Sequence, residues 1–183
     1  MTDHDTALLP AALDRVERAE VLDRAVAQVE EIVRRIPEGV RRRLKGVDWL
    51  GHPLHPALVH LPLGAWMAAG VMDAKHRPEA ARSLIVLGVA SALPAAAAGW
   101  SDWADLSAGQ KRSGLVHAVA NNLGVLLYVG SIVTRSAGHD RVGRKLGLAG
   151  LVAVGLGGAI GGDLAYRRAW AAGGANHVER AES

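Results

Sequence analysis

Residues 54–72 read LHPALVHLPLGAWMAAGVM, a run of 19 positions without a single Asp, Glu, Lys or Arg. A helix needs about 20 largely apolar residues to cross the hydrocarbon core of a bilayer. Three further stretches lack the same four residue types: residues 83–101, 113–134 and 146–162. The last stretch reaches the required length when residues 163–166 are included. The sequence therefore predicts an all-α fold, a four-transmembrane-helix bundle.

A helical bundle buried in a water-soluble protein is the alternative interpretation of these stretches. A soluble core helix seldom stays apolar on every face over such a length. Four such helices would also need a much larger polar shell than a chain of 183 residues supplies. We therefore expect lipid, not water, around residues 54–166.

The charged residues are concentrated ahead of the first span, where residues 1–50 carry 19 of the 39 charged side chains. Residues 11–36 are predicted to form one amphipathic helix, because apolar side chains recur there at spacings of three and four. These side chains are Leu22, Val26, Val29, Val33 and Ile36. Such a helix could lie on the membrane surface, pair with another helix as a coiled coil, or pack on its own bundle. The chain divides into a charged segment (1–48), a four-span domain (49–170) and a polar tail (171–183).

Composition limits the orientation and the function. Four spans place both termini on one side, and ten Lys and Arg residues flank the spans there against seven on the other side, which favours cytoplasmic termini. The net charge of +3 fits contact with a lipid bilayer and not nucleic-acid binding. The absence of Cys excludes a Cys-ligated iron–sulfur cluster within the chain. With no nucleophile triad, phosphate-binding loop or Rossmann fingerprint, an enzyme is not expected.

Polar side chains gather at the rim of the bundle on the N-terminal side. His60 and His117 each lie a few residues inside a span, which at 1.5 Å per residue puts both at a depth of roughly 5–8 Å. Two imidazoles at matched depth on different helices can ligate a b-type haem from opposite faces. Asn121 lies one turn from His117 on the same helix face and can hydrogen-bond a ligand.

Other interpretations of this rim remain open from the sequence. A divalent metal is one, with His52, His55, Asp102 and Asp163 as candidate ligands, and a quinone is another. Alternatively, the His residues have a structural role and bond carbonyls freed by nearby prolines.

Two features of the last span also have alternative readings. Asp163 is either a ligand or proton carrier, or the i+4 partner of Arg167. The pairs Gly157/Gly161 and Gly158/Gly162 predict close helix packing, also between chains, with approach to a flat cofactor as the alternative.

Residues 51–66, GHPLHPALVHLPLGAW, resemble the opening signature of the bacterial membrane proteins of domain-of-unknown-function family 2231. The resemblance continues through residues 93–95 (LPA), 99–103 (GWSDW), 114–118 (GLVHA) and 161–167 (GGDLAYR), and covers roughly residues 45–170. It implies a four-span domain of the bacterial inner membrane, which in some relatives is followed by a Rieske-type iron–sulfur domain.

Residues 173–179 resemble the linker into that domain, so a separate Rieske-type or other redox protein is an expected partner. The resemblance also implies a His after the Gly–Gly pair of the last span, where this chain has Asp163. A haem ligated by that position is therefore not expected here.

We predict an integral inner-membrane protein, a redox component that binds b-type haem or a metal at the cytoplasmic-side rim. The competing hypothesis is a non-catalytic scaffold without a cofactor, whose N-terminal helix and glycine faces bind partners or a second copy.

Overall fold

In the computed structural model, the backbone is described for residues 8–181 and the side chains for residues 9–166. Every regular element within that range is helical, as predicted. The helices are α1 (Leu8–Glu17), α2 (Asp23–Arg34), α3 (Glu38–Lys45), α4 (Val47–Leu50), α5 (Leu54–Leu58), α6 (His60–Ala74), α7 (Pro78–Trp103), α8 (Ala108–Ser136) and α9 (Asp140–Ala181). A 3₁₀ turn, Glu20–Leu22, precedes α2. The segment predicted as a polar tail continues α9 as far as Ala181.

Four helical stretches are long and apolar enough to cross a membrane: Leu54–Ala74 (α5 with α6), Pro78–Trp103, Ala108–Ser136 and Asp140–Tyr166. Only 17–28% of the residues in their most apolar windows are buried inside the protein, so most of these residues are at least partly exposed on its surface. A water-soluble protein rarely exposes an apolar surface of that extent. The four-span prediction is confirmed, and the water-soluble alternative does not fit this surface.

The first span contains a break. Its first part, α5, begins at Leu54, and the helix is interrupted at Val59 before α6 starts. Pro62 accounts for the interruption. Its ring would collide with the carbonyl of Leu58, four residues earlier, and it has no N–H to bond that oxygen.

The prediction of one continuous helix over residues 11–36 was wrong. The chain forms two helices, α1 and α2, with a non-helical residue at Ala19 (φ −79°, ψ 79°) between them. Arg112 of α8 explains the break. Its guanidinium donates to the Glu17 carbonyl oxygen at 2.6 Å and to the two Asp23 carboxylate oxygens at 2.6 and 2.8 Å. The helical hydrogen bond lost at the end of α1 is thus replaced by one from α8.

The apolar face of α2 packs on the four-span bundle. Val26 and Val33 are buried in one cluster with Trp103, the last residue of α7. Beside them, Lys111 of α8 forms a 3.1 Å ion pair with Glu30. Of the three placements that the sequence left open for this segment, the structure has the third, packing on its own bundle.

The four spans are two copies of one helical hairpin, repeated at a constant offset along the chain. The offset is that between Asp73 and Arg135, whose sequence numbers differ by 62. The ends of α6 and α8 are separated by the same offset, and so are the starts of α7 and α9. The connecting loops match as well, with a left-handed residue at the same place in each, His76 (φ 55°) and Gly138 (φ 80°). The N–H groups of these two residues donate to the carbonyls of Asp73 and Arg135, respectively.

Sequence similarity between the copies is low. Residues 51–103 and 113–165 share eight identical positions at this offset. They are His55 and His117, Leu61 and Leu123, Val71 and Val133, Arg82 and Arg144, Leu84 and Leu146, Gly88 and Gly150, Ala97 and Ala159, and Gly99 and Gly161.

Three pairs of equivalent residues meet where the two copies pack together. They are His55 with His117, Trp66 with Tyr128, and Asp73 with Arg135. Residues that contact their own equivalents lie on the two-fold axis that relates the copies. Because both hairpins start on the same side of the bundle, this axis runs along the bilayer normal, as in other parallel membrane repeats.

Candidate functional site

Two imidazoles meet on the local axis at the end of the bundle where the first and third spans begin. His55 comes from α5 and His117 from α8, and their ring centroids are 6.4 Å apart with planes at 87°. Both side chains are partly buried. We call the two rings together the imidazole pair.

Each imidazole is held by a backbone carbonyl of the second helix in its own hairpin. His55 Nδ1 lies 2.8 Å from the Ala95 carbonyl oxygen, and His117 Nδ1 lies 2.8 Å from that of Gly157. A carbonyl oxygen only accepts hydrogen bonds, so Nδ1 must be the protonated nitrogen in both rings. In the neutral imidazole, Nε2 then carries the lone pair. Metal-ligating His residues typically donate a hydrogen bond from their other ring nitrogen in this way.

Glycines let the neighbouring helices touch these rings. A Cβ atom at Gly99 would lie 2.9 Å from Cε1 of His55, and one at Gly161 would lie 2.6 Å from Cε1 of His117. Real Cβ atoms essentially never approach so closely, and the carbonyl bonds restrain the rings from moving away. Gly99 and Gly161 are equivalent positions of the two hairpins, so both hairpins require a glycine next to the His ring.

Asn121 covers one face of the His117 ring. Its amide nitrogen donates to the His117 carbonyl oxygen at 2.9 Å and lies 3.3 and 3.2 Å from the two ring nitrogens. Because the Asn121 amide nitrogen is almost equally far from both ring nitrogens, it lies over the face of the ring and not in the ring plane. Gly157 gives Asn121 its space, because a Cβ there would lie 2.7 Å from the amide.

His60, which the sequence analysis paired with His117, lies elsewhere. Its side chain is exposed, and Nδ1 is 3.3 Å from the Ala57 carbonyl oxygen of its own helix turn. The imidazole that the structure brings to His117 is that of His55. Asn121, one turn from His117, does contact that residue, while its role toward a ligand stays a prediction.

The candidate metal ligands do not assemble around one point. His52 is exposed with Nδ1 3.1 Å from the Pro53 carbonyl oxygen, while Asp102 and Asp163 are half-buried. Within residues 9–166, no three His, Cys, Asp or Glu side chains are grouped closely enough to hold a metal ion. The suggested Asp163–Arg167 pair involves a side chain outside the described residues.

The glycines of the last span divide between two faces. Gly157 and Gly161 pack against Asn121 and His117, whereas a Cβ at Gly158 or Gly162 would have no described atom within 4 Å. The first pair therefore serves packing within the chain. The second pair lies on an outward face of α9.

The other end of the axis carries an ion pair that the sequence analysis missed. Arg135 donates to both carboxylate oxygens of Asp73, at 2.9 and 2.6 Å, and to the Ser131 hydroxyl at 3.1 Å. Its side chain is 1% exposed and that of Asp73 is 9% exposed. A usable signal was present: each is the first charged residue after an apolar stretch, and the topology puts both at the same side of the membrane.

Residues 51–172 match the family model described as "Predicted membrane protein (DUF2231)", which covers both hairpins. The chain belongs to this family. The DUF2231 region begins just ahead of α5, so α1–α4 precede the matched part. Together with the four spans, the match makes this DUF2231 member a multi-pass membrane protein. No curated protein and no solved structure matches the chain.

Proposed function

We propose that this DUF2231 protein is a membrane electron-transfer component that holds one b-type haem between His55 and His117. The observation that carries the proposal is the imidazole pair on the local axis, with both Nδ1 atoms bonded to carbonyls and both Nε2 lone pairs left for a ligand. Haem iron is commonly held by His, and axial ligation together with hydrogen bonding sets its potential.

The spacing of the rings supports a shared iron. Bonds of about 2.0 Å from a metal to each imidazole nitrogen place two ring centroids about 6 Å apart. The observed centroid separation is 6.4 Å.

The ligand count supports haem over a bare metal ion. A non-haem site normally takes three or more protein ligands. The imidazole pair supplies two, and the described part of the chain groups no third His, Cys, Asp or Glu with them. A porphyrin brings four equatorial nitrogens of its own, so two protein ligands suffice. Asp163 is not needed in this arrangement.

The proposal includes location and partners. The excess of Lys and Arg at the N-terminal side supports cytoplasmic termini in a bacterial inner membrane, with the imidazole pair near the cytoplasmic rim. An electron partner, such as a Rieske-type protein, would then meet the domain at that rim, close to the point where α9 leaves the membrane.

An absorption spectrum of detergent-purified full-length protein, made in cells supplied with haem precursor, tests the proposal. We expect a Soret band and about one haem per chain, and its loss in His55→Ala and in His117→Ala. His60→Ala is the matched control and should keep the band, because His60 is exposed and bonded within its own turn. Folded but colourless wild-type protein would assign the imidazole pair to helix packing instead.

A further inference from the structure

A cavity of about 210 Å³ lies beside the local axis, between α6 and α9. It extends from the Trp66–Tyr128 stack to the level of Asp73, and so occupies the half of the bundle away from the imidazole pair. Its wall is mostly apolar, formed by Ala69, Ile85, Leu148 and Leu151 together with the stacked rings.

The cavity breaks the two-fold symmetry of the domain. Gly70 and Gly147 line it, and the equivalent positions of the other hairpin are Ile132 and Ile85. A Cβ at Gly70 would meet only a Leu151 methyl at 3.8 Å, and one at Gly147 would have no neighbour closer than 3.6 Å. Helix packing therefore does not require glycine here. The two glycines leave this space free of their own side-chain atoms, whereas the equivalent positions carry isoleucines, one of which, Ile85, forms part of the cavity wall.

A buried hydroxyl in the wall lacks a partner. Tyr128 is 1% exposed and lines the cavity, yet within residues 9–166 its hydroxyl has no hydrogen-bonding partner. Buried polar groups are nearly always bonded, so an unsatisfied one next to open space indicates an absent ligand or water. The missing group must supply an acceptor or donor deep in the bundle.

The cavity is reached from the side. Gly70 is exposed on the outer surface of the first span, where lipid tails surround the protein. Arg144, also exposed, lines the end that lies nearer the loops. An occupant therefore enters from the bilayer and meets mostly apolar walls. The polar groups of the lining are the Tyr128 hydroxyl, the Trp66 indole N–H, and the side chains of Asp73 and Arg144.

We propose that this cavity binds a membrane quinone, with a ring carbonyl accepting a hydrogen bond from Tyr128. The quinone ring is small enough for a cavity of about 210 Å³. Its second carbonyl can then face the end of the cavity lined by Arg144. A phospholipid fits less well, because its headgroup stays at the interface and its acyl chain offers the buried hydroxyl no acceptor. The site lies on different residues from the imidazole pair and does not rest on haem binding.

Native mass spectrometry of the full-length protein, released from detergent micelles with increasing decylubiquinone, tests the site. We expect saturation at one quinone per chain. Gly70→Ile, which places the side chain of its equivalent Ile132 in the cavity wall, should abolish saturable binding. Gly64→Ile is the matched control on the same helix, because no atom of residues 9–166 lies within 4 Å of a Cβ there, and it should bind like the wild type.

Tyr128→Phe keeps the ring and removes only the hydroxyl, so the stack with Trp66 and the fold are retained. Loss of one buried hydrogen bond should raise the dissociation constant about tenfold. Binding unchanged in both Gly70→Ile and Tyr128→Phe, or no saturable binding by the wild type, would overturn the site and leave water as the partner of the hydroxyl.

The same spectra count haem by its own mass, which separates the two proposals. Quinone binding by a haem-free protein overturns only the haem proposal. A haem-loaded protein without saturable quinone overturns only the quinone site.

Discussion

Arg135 and Asp73 form a buried ion pair, and each residue of the pair stabilises the bundle by compensating the charge of the other. The two charges are almost fully removed from solvent, and their bidentate contact together with the Ser131 hydroxyl compensates for the lost hydration. Removing one partner of such a pair leaves the other charge buried and unpaired, which is costly. Replacing both by apolar residues avoids that cost.

Arg135→Met should lower the free energy of unfolding by about 3–5 kcal/mol, whereas the double variant Arg135→Met/Asp73→Leu should recover most of the loss. SDS-induced unfolding in mixed micelles measures both. Arg141→Met, on an exposed position of α9, is the control and should change stability little. An equally large loss in the single and the double variant would show that the ion pair does not carry the effect.

The choice between His55 and His60 shows where residue-level prediction stops. Both belong to one Pro-rich stretch at the start of the first span, and hydropathy treats them alike. Five residues of helix separate side-chain directions by about 140°, so only one of them can face the axis. His55 is the one that contacts α7 and α8. Which side of the first span turns toward those helices depends on helix packing and not on residue type.

Acid should loosen the packing of α1 and α2 on the bundle. Hydrogen bonds from Arg112 hold the pKa of Asp23 below its ordinary value, and those from Arg34 and then Lys111 do the same for the pKa of Glu30. A lowered pKa in the folded state means a stabilisation that is complete above the ordinary carboxyl pKa of about 4 and is lost as the pH falls further. The protection factors of the amide hydrogens in α1 and α2, which correct for the intrinsic pH dependence of exchange, should therefore fall below about pH 4.

Asp23→Asn should remove much of this pH dependence and make exchange in α1 and α2 faster already at neutral pH. Glu31→Gln is the comparison, since within residues 9–166 the ion pair of Glu31 is with Arg35, on the exposed side of its own helix. The same acid response in wild type and Asp23→Asn would contradict a role for the Arg112 contact.

The break between α1 and α2 could not be predicted from local sequence, because it depends on a contact with a residue far along the chain. The apolar spacing over residues 11–36 is compatible with a continuous helix, and no Pro or Gly interrupts it. The residue that stabilises the break, Arg112, is 95 positions beyond Glu17. By contrast, Pro37 and Gly39 are local signals, and α2 does end at Arg34, ahead of both.

For the molecule as a whole, the sequence predicted that lipid surrounds the helices and that there are four spans. An apolar stretch of some 20 residues without charge is enough to indicate a span. It also predicted that His117 and Asn121 belong together, since they are one turn apart. It did not reveal the duplication, because eight identities, mostly small or aliphatic, are too few to stand out. Three axial contacts at one constant offset make the duplication plain.

Single cysteines report the orientation directly, because the chain has none of its own. Ala108 and Ser136, exposed at opposite ends of α8, are suitable sites. In right-side-out membrane vesicles, an impermeant maleimide should label Ser136→Cys at once and Ala108→Cys only after permeabilisation. The reverse pattern would place both termini outside the cytoplasm.

The covalent link between the two hairpins has a consequence for what this protein can place at its centre. Were the hairpin to assemble as two identical, unlinked subunits, any side chain on the symmetry axis would face a copy of itself. An aspartate would then oppose an aspartate, and a groove lined with glycine on one side would be equally open on the other. Joining the halves in one polypeptide frees the two positions to differ, so that an acid can face a base and one groove can stay open while its counterpart is filled.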